Sequence, residues 1–123
     1  MNRIALAGLL GFVCVATAAL AGGDAKRGEA VFGRCAMCHN ADKGGGNGLG
    51  PNLFGVAGHK AAAVADFYYS PALKNAHLTW TDDKLHAWLA NPQKLVPGTR
   101  MVFAGIKSPQ EIDDVIAYLH QKH

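Results

Sequence analysis

The five residues Cys35-Ala36-Met37-Cys38-His39 constrain this chain more than any other stretch. Cys-x-x-Cys-His is the attachment signature of a c-type haem. The spacing has a helical logic. Residues three apart share nearly one face, so two thiols reach two vinyl groups along one edge of a flat porphyrin, and the next residue turns an imidazole toward the iron. Two other chemistries use a Cys-x-x-Cys pair. A structural zinc site needs four ligands, and the sequence holds no second cysteine pair. A thioredoxin-like dithiol sits between a strand and a helix, and no strand pattern flanks this pair.

A tethered haem also answers a problem of size. A chain of 123 residues allows one domain, and a domain this small buries a modest core, so a large flat apolar group at its centre gives the helices something to pack against. Hydrophobic residues make up 50% of the chain and its 15 glycines fall mostly in the middle, which points to long loops between a few helices and not to disorder. The formal net charge is only +3, part of it from Arg3 near the start, and two haem propionates would offset much of the rest. A surplus this small is no argument for nucleic acid, which calls for a concentrated basic stripe with aromatic residues between.

Met1-Asn2-Arg3 and the apolar run from Ile4 to Leu20 read as the charged and hydrophobic regions of an export signal, and Ala19-Leu20-Ala21 fits small-x-small cleavage. A signal over 1–21 and one domain over 22–123 are therefore expected. The alternative is an uncleaved membrane anchor, because the run lies at the short end of the ~20 residues that a span needs. Val13 is not the small residue that precedes a lipoprotein cysteine, so Cys14 is a hydrophobic filler lost with the signal. The two motif cysteines remain, no disulfide is expected, and an exported chain with no thiol to spare fits a periplasm, where c-type haem is also attached.

Further along, capping chemistry predicts an all-α architecture. Asp24 caps a first helix whose Ala25, Gly28, Val31, Phe32 and Cys35 recur at helical spacing and lead into the motif. Gly28 in mid-helix suggests close approach by another helix. From Asn40 to Lys60 the chain is rich in Gly, and with no Walker-type ending this reads as a loop wrapped over a flat ligand, turned at Pro51. Ser70 and Pro71 start a short helix. Thr81 starts another, with Trp80 and Leu85 placed for a hydrophobic staple and Pro92 as its end. A loop follows from Pro97 to Gly105. Ser108-Pro109-Gln110-Glu111 forms a capping box for a last helix with Ile112, Val115, Ile116 and Leu119 on one stripe.

If His39 binds one side of an iron, the residue on the other side decides between electron transfer and catalysis. Of the three methionines, Met1 leaves with the signal and Met37 lies between the anchoring cysteines. Met101 is left, in a Pro- and Gly-flanked loop. His59, His77, His86, His120 and His123 compete with it, and spacing alone does not choose.

At this point the sequence resembles the class I cytochromes c, in the soluble mitochondrial cytochrome c and bacterial cytochrome c2 group. The resemblance runs from Gly23-Asp24 to Tyr118-Leu119. It rests on the motif, Gly50-Pro51-Asn52-Leu53, Tyr69-Ser70 with Thr79-Trp80, Asn91-Pro92, and Pro97-Gly98-Thr99-Arg100-Met101-Val102-Phe103-Ala104-Gly105-Ile106. It implies the class I fold around one haem c, attached through Cys35 and Cys38, with Met101 as sixth ligand and the Pro51 carbonyl accepting from the His39 ring. Tyr69 and Trp80 match positions that bond a haem propionate, with Thr99 close by. Gly28 and Phe32 are implied to pack against the last helix near Tyr118. The function implied is a periplasmic single-electron carrier, probed by redox partners through a basic haem edge for which Arg34, Lys94, Arg100 and Lys107 are candidates, and acting as a monomer in transient contact with membrane complexes. The rival readings are a small peroxidase or gas-binding cytochrome, which needs Met101 to be labile, and a haem subunit held permanently by a larger enzyme.

Two positions depart from the pattern. Trp88 stands where mitochondrial relatives commonly carry Tyr facing the Met ligand, and an indole N–H donates but cannot accept. His59 follows Gly58 where the family often has Arg, which replaces a permanent charge near a propionate with a titratable one. The reduction potential is accordingly expected to vary with pH through His59. A redox titration in which His59→Gln keeps the wild-type pH slope would exclude this.

Overall fold

The computed structural model describes residues 22–123; the expected signal over 1–21, with Cys14, lies outside the described residues. α1 (Ala25–Phe32) starts where the Asp24 carboxylate accepts from the Arg27 N–H at 2.8 Å. α2 (Pro71–Ala76) begins at Pro71 behind a Ser70 cap, and α3 (Asp82–Ala90) behind a Thr81 cap. α4 (Pro92–Leu95) follows at once, and α5 (Pro109–His120) closes the chain. No strand forms among the described residues. A single bridge joins Lys60 to Thr79, and bonds of 2.8 Å from Gly58 N–H to the Trp80 carbonyl and from Trp80 N–H to the His59 carbonyl zip the Gly-rich loop to the start of α3.

The structure departs from the sequence reading at three places. Pro92 does end α3, but it also occupies the first position of α4: Asn91 is extended, and its side chain caps the next turn by accepting from the Lys94 N–H at 3.1 Å. The capping box of α5 is half formed. Ser108 Oγ accepts from the Glu111 N–H at 3.3 Å, but the Glu111 carboxylate is taken by a two-pronged pair with Arg34 at 3.0 and 3.1 Å. The motif, finally, lies beyond the end of α1, in tight turns where the His39 N–H reaches the Cys35 carbonyl at 2.9 Å. One helical turn, closed locally, supplies the spacing that a longer helix was expected to supply.

α5 packs against α1 and α3, and α4 against α3. At the α1–α5 crossing a Cβ on Gly28 would run into the Asp114 carbonyl and come within 2.9 Å of Tyr118 Cβ, so glycine there sets how close the helices lie. Phe32 packs on Tyr118 with ring centroids 5.1 Å apart, as the resemblance implied. The stripe of α5 is the centre of the core, and Ile112 and Val115 are essentially inaccessible. Cutting Ile112 back to Ala would cost roughly 2–5 kcal/mol. Trp80 and Leu85 are both buried, as the staple requires.

Asp114 also lies in this interface, with only 3% of its surface accessible. Its carboxylate accepts from the Asp24 N–H at 2.7 Å, from Arg27 Nε at 3.0 Å and from Gln110 Nε2 at 3.0 Å. The Arg27 bond first, then that of the Asp24 amide, hold its pKa down from 3.8 to about 2. A carboxylate depressed on folding contributes stability above its ordinary range and loses it as pH falls through the folded value. Asp114→Asn is therefore expected to lower the Tm at neutral pH, with the difference from wild type closing as pH falls from about 4 to about 2. Thermal unfolding across that range measures it.

Candidate haem-binding site

The turns after α1 and the loop after the motif fold onto each other. Gly50 N–H bonds back to the Cys38 carbonyl at 2.9 Å, Gly48 N–H to the Gly50 carbonyl at 3.0 Å, and Leu53 N–H to the Asn40 carbonyl at 2.7 Å. This brings the Pro51 carbonyl to 2.7 Å from His39 Nδ1. A carbonyl only accepts, so Nδ1 carries the proton and the lone pair is on Nε2. Burial moves the His39 pKa below its usual value, and the Pro51 bond opposes this more weakly. The ring is thus held neutral, oriented, and ready to donate its Nε2 lone pair to a metal. The loop comes this close because residue 50 is glycine: a Cβ there would strike the His39 ring, within 2.6 Å of Nδ1.

His39 lines a cavity of about 980 Å³ together with Cys35, Cys38, Pro51, Tyr69, Trp80, Thr99 and Met101, so the structure gathers every site residue expected from the sequence. Trp88 lines it too and meets Trp80 edge to face at 5.1 Å. Burial pushes the Cys35 thiol above its ordinary pKa, against the smaller effect of Arg34, which is the reverse of what a reactive redox dithiol requires.

Donors in the cavity fit a group that brings its own carboxylates. Tyr69, Trp80 and Thr99 are all buried, at 8%, 7% and 7% of their surface. The Tyr69 oxygen accepts from the Val64 N–H at 3.1 Å, which leaves its hydrogen to donate, and burial raises its pKa so that the hydrogen stays. The Trp80 indole and the Thr99 hydroxyl have no side-chain hydrogen bond to any described residue. A flat apolar ring with two propionates suits such a lining: large side chains for the ring, unspent donors for the acids.

The competing histidines separate. His86 lies 3.5 Å from Asp113, His120 lies 2.7 Å from Asp82, and His77 is the exposed left-handed cap of α2; none of the three lines the cavity. His59 and His123 do line it, both as exposed residues. The basic candidates separate as well. Arg34 and Arg100 line the cavity, whereas Lys94 and Lys107 are exposed and do not. Sequence reasoning missed Lys60, which does, and Tyr68, whose ring lies under Lys74 and Arg100. Tyr68 stands in the run Phe67-Tyr68-Tyr69, which is aromatic on the face of the sequence, but its cationic neighbours come from elsewhere in the chain.

Gly50→Ala tests the close contact. It is expected to displace the His39 ring, to cost roughly 1–3 kcal/mol in urea unfolding and to lower the haem bound per chain.

The family model described as cytochrome c matches residues 25–122. Cytochrome c of Chlamydomonas reinhardtii is 51% identical over 100 residues, 80% of this chain and 89% of that protein. Cytochrome c of Gossypium barbadense is 47% identical, over 80% of this chain and 90% of its own. Among solved structures, cytochrome cH from Methylobacterium extorquens superposes with a TM-score of 0.77 at 51% identity, covering 81% of this chain and 100% of that one. The helices, the cavity and the relatives agree on the class I cytochrome c fold, and the chain belongs to the cytochrome c family, electron carriers with one covalently attached haem c.

Proposed function

We propose that this chain is an exported, monomeric carrier whose haem is bonded through Cys35 and Cys38 and ligated by His39 and Met101. One observation carries the reading: a single cavity is lined by both thiols, by an imidazole already tied through Nδ1 to Pro51, and by the one methionine of the described chain that lies at it. Met37 is 87% exposed and does not line the cavity. The haem, when bound, supplies a one-electron couple; the protein supplies two fixed ligands, a dry surround and the donors of Tyr69, Trp80 and Thr99 for the propionates. A thioether ligand favours the ferrous state and raises the potential. It also leaves no coordination position for a substrate, in keeping with a carrier.

The apolar run before residue 22 supports export to the periplasm with cleavage after Ala21, and retention as a membrane anchor is the alternative. Partners in this reading are redox proteins, respiratory ones among them, whose acidic surface meets the basic groups at the cavity, Arg34, Lys60 and Arg100. Arg34 already pairs with Glu111, so it presents less free charge than its type suggests. Lys94 and Lys107, also candidates, are exposed but do not line the cavity.

The optical spectrum of the holoprotein tests the ligands. The oxidised wild type is expected to show a sulfur-to-iron charge-transfer band, and Met101→Leu to lose it and to shift the reduction potential downward. An oxidised wild-type spectrum of the high-spin, five-coordinate type would overturn the His/Met assignment.

A further inference from the structure

Asn47-Gly48 sets a chemically labile pair at a demanding point of the chain. Glycine is needed at 48, because a Cβ there would lie 2.8 Å from the Cys38 carbonyl oxygen. An asparagine before glycine is also the pair in which the following backbone nitrogen reaches the side-chain carbonyl most readily, since no Cβ shields it and its backbone turns freely. The other asparagines of the described chain, Asn40, Asn52, Asn75 and Asn91, precede Ala, Leu, Ala and Pro. In the fold both partners of that reaction are occupied. Asn47 Oδ1 accepts from the Asn52 N–H at 2.8 Å, Asn47 Nδ2 donates to Asp66 Oδ1 at 3.0 Å, and the Gly48 N–H donates to the Gly50 carbonyl at 3.0 Å. Asn52, held in this way, directly follows the Pro51 whose carbonyl fixes the His39 ring.

We propose that Asn47 is a self-modification site, guarded by these three bonds, at which loss of the side-chain amide sets a second carboxylate against Asp66. When the loop opens, the Gly48 nitrogen passes its hydrogen to water and bonds to Asn47 Cγ. The Cγ–Nδ2 bond breaks, and Nδ2 leaves as ammonia after taking up a proton. Water then opens the resulting five-membered imide at either carbonyl, giving aspartate or isoaspartate. The net change is one water consumed and one ammonia released, with no oxidation or reduction. An aspartate at 47 still accepts from the Asn52 N–H. It no longer donates to Asp66, and its charge lies where 3.0 Å separated an amide from that carboxylate. Isoaspartate adds a methylene to the backbone just before the residue packed on Cys38.

The holoprotein is incubated in mildly alkaline buffer with and without urea, and the tryptic peptide 44–60 is followed by mass spectrometry and an isoaspartate assay. In urea Asn47 is expected to convert faster than each of the other asparagines. Without urea its conversion should slow on the order of a hundredfold, the combined effect of three hydrogen bonds. Asp66→Ala, which frees Nδ2 in the folded protein, should raise the folded rate about fivefold. Asn47→Asp, the product built in directly, should lower the urea midpoint, and adding Asp66→Asn, whose amide can donate to the new carboxylate, should recover most of it. Equal rates with and without urea would overturn the guard, as would an unchanged folded rate in Asp66→Ala. A wild-type urea midpoint in Asn47→Asp would overturn the clash with Asp66. Conversion in urea no faster than at the other asparagines would overturn the site itself.

Discussion

The site depends on how closely α1 approaches α5. The turns that carry Cys35, Cys38 and His39 leave directly from the end of α1, so their position is that of the helix. That helix is fixed by the bare backbone at Gly28 against Asp114 and Tyr118, by Phe32 on the Tyr118 ring, and by the Asp114 carboxylate that draws in the Asp24 amide and the Arg27 side chain. Apolar packing supplies most of the attraction, and the buried carboxylate selects the register, since its acceptors are filled only when both helices are in place.

Around the imidazole, a second close approach does comparable service on a smaller scale. Gly50 lets the loop touch the His39 ring, and the Pro51 carbonyl then fixes which nitrogen keeps the proton. Two glycines thus act by what they lack, one between helices and one against a ring. The Trp88–Trp80 contact and the buried donors of Tyr69 and Thr99 complete a lining in which apolar and polar parts have separate tasks.

What the sequence made legible was local. Asp24, Ser70, Thr81 and Ser108 could be read as caps because the bond each makes lies three residues on, and Cys35 to His39 because its spacing spans one turn. The positions taken from family resemblance, Met101, Pro51, Tyr69, Trp80 and Thr99, lie far apart in the chain, and residue chemistry alone would not have joined them. Features decided by distant competition were missed. Glu111 turns from its own cap because Arg34, 77 residues away, offers a paired charge. Asp114 reads as one more polar residue on an amphipathic helix, and its burial becomes evident only with α1 beside it. α4 was overlooked because a proline that ends one helix is equally suited to begin the next.

The bond between the Asp24 amide and Asp114 joins residues 90 apart, so closing the α1–α5 contact gathers nearly the whole described chain into one loop. The entropy of closing such a loop rises only with the logarithm of its length, by about 0.6 kcal/mol for each doubling. Once the two ends have met, the intervening glycine-rich stretch can lengthen or shorten by several residues with little change in that cost. Variation in the middle of this fold is then limited by the few bonds that seat the loops of the site, while α1 and α5 must keep the contact that closes the loop.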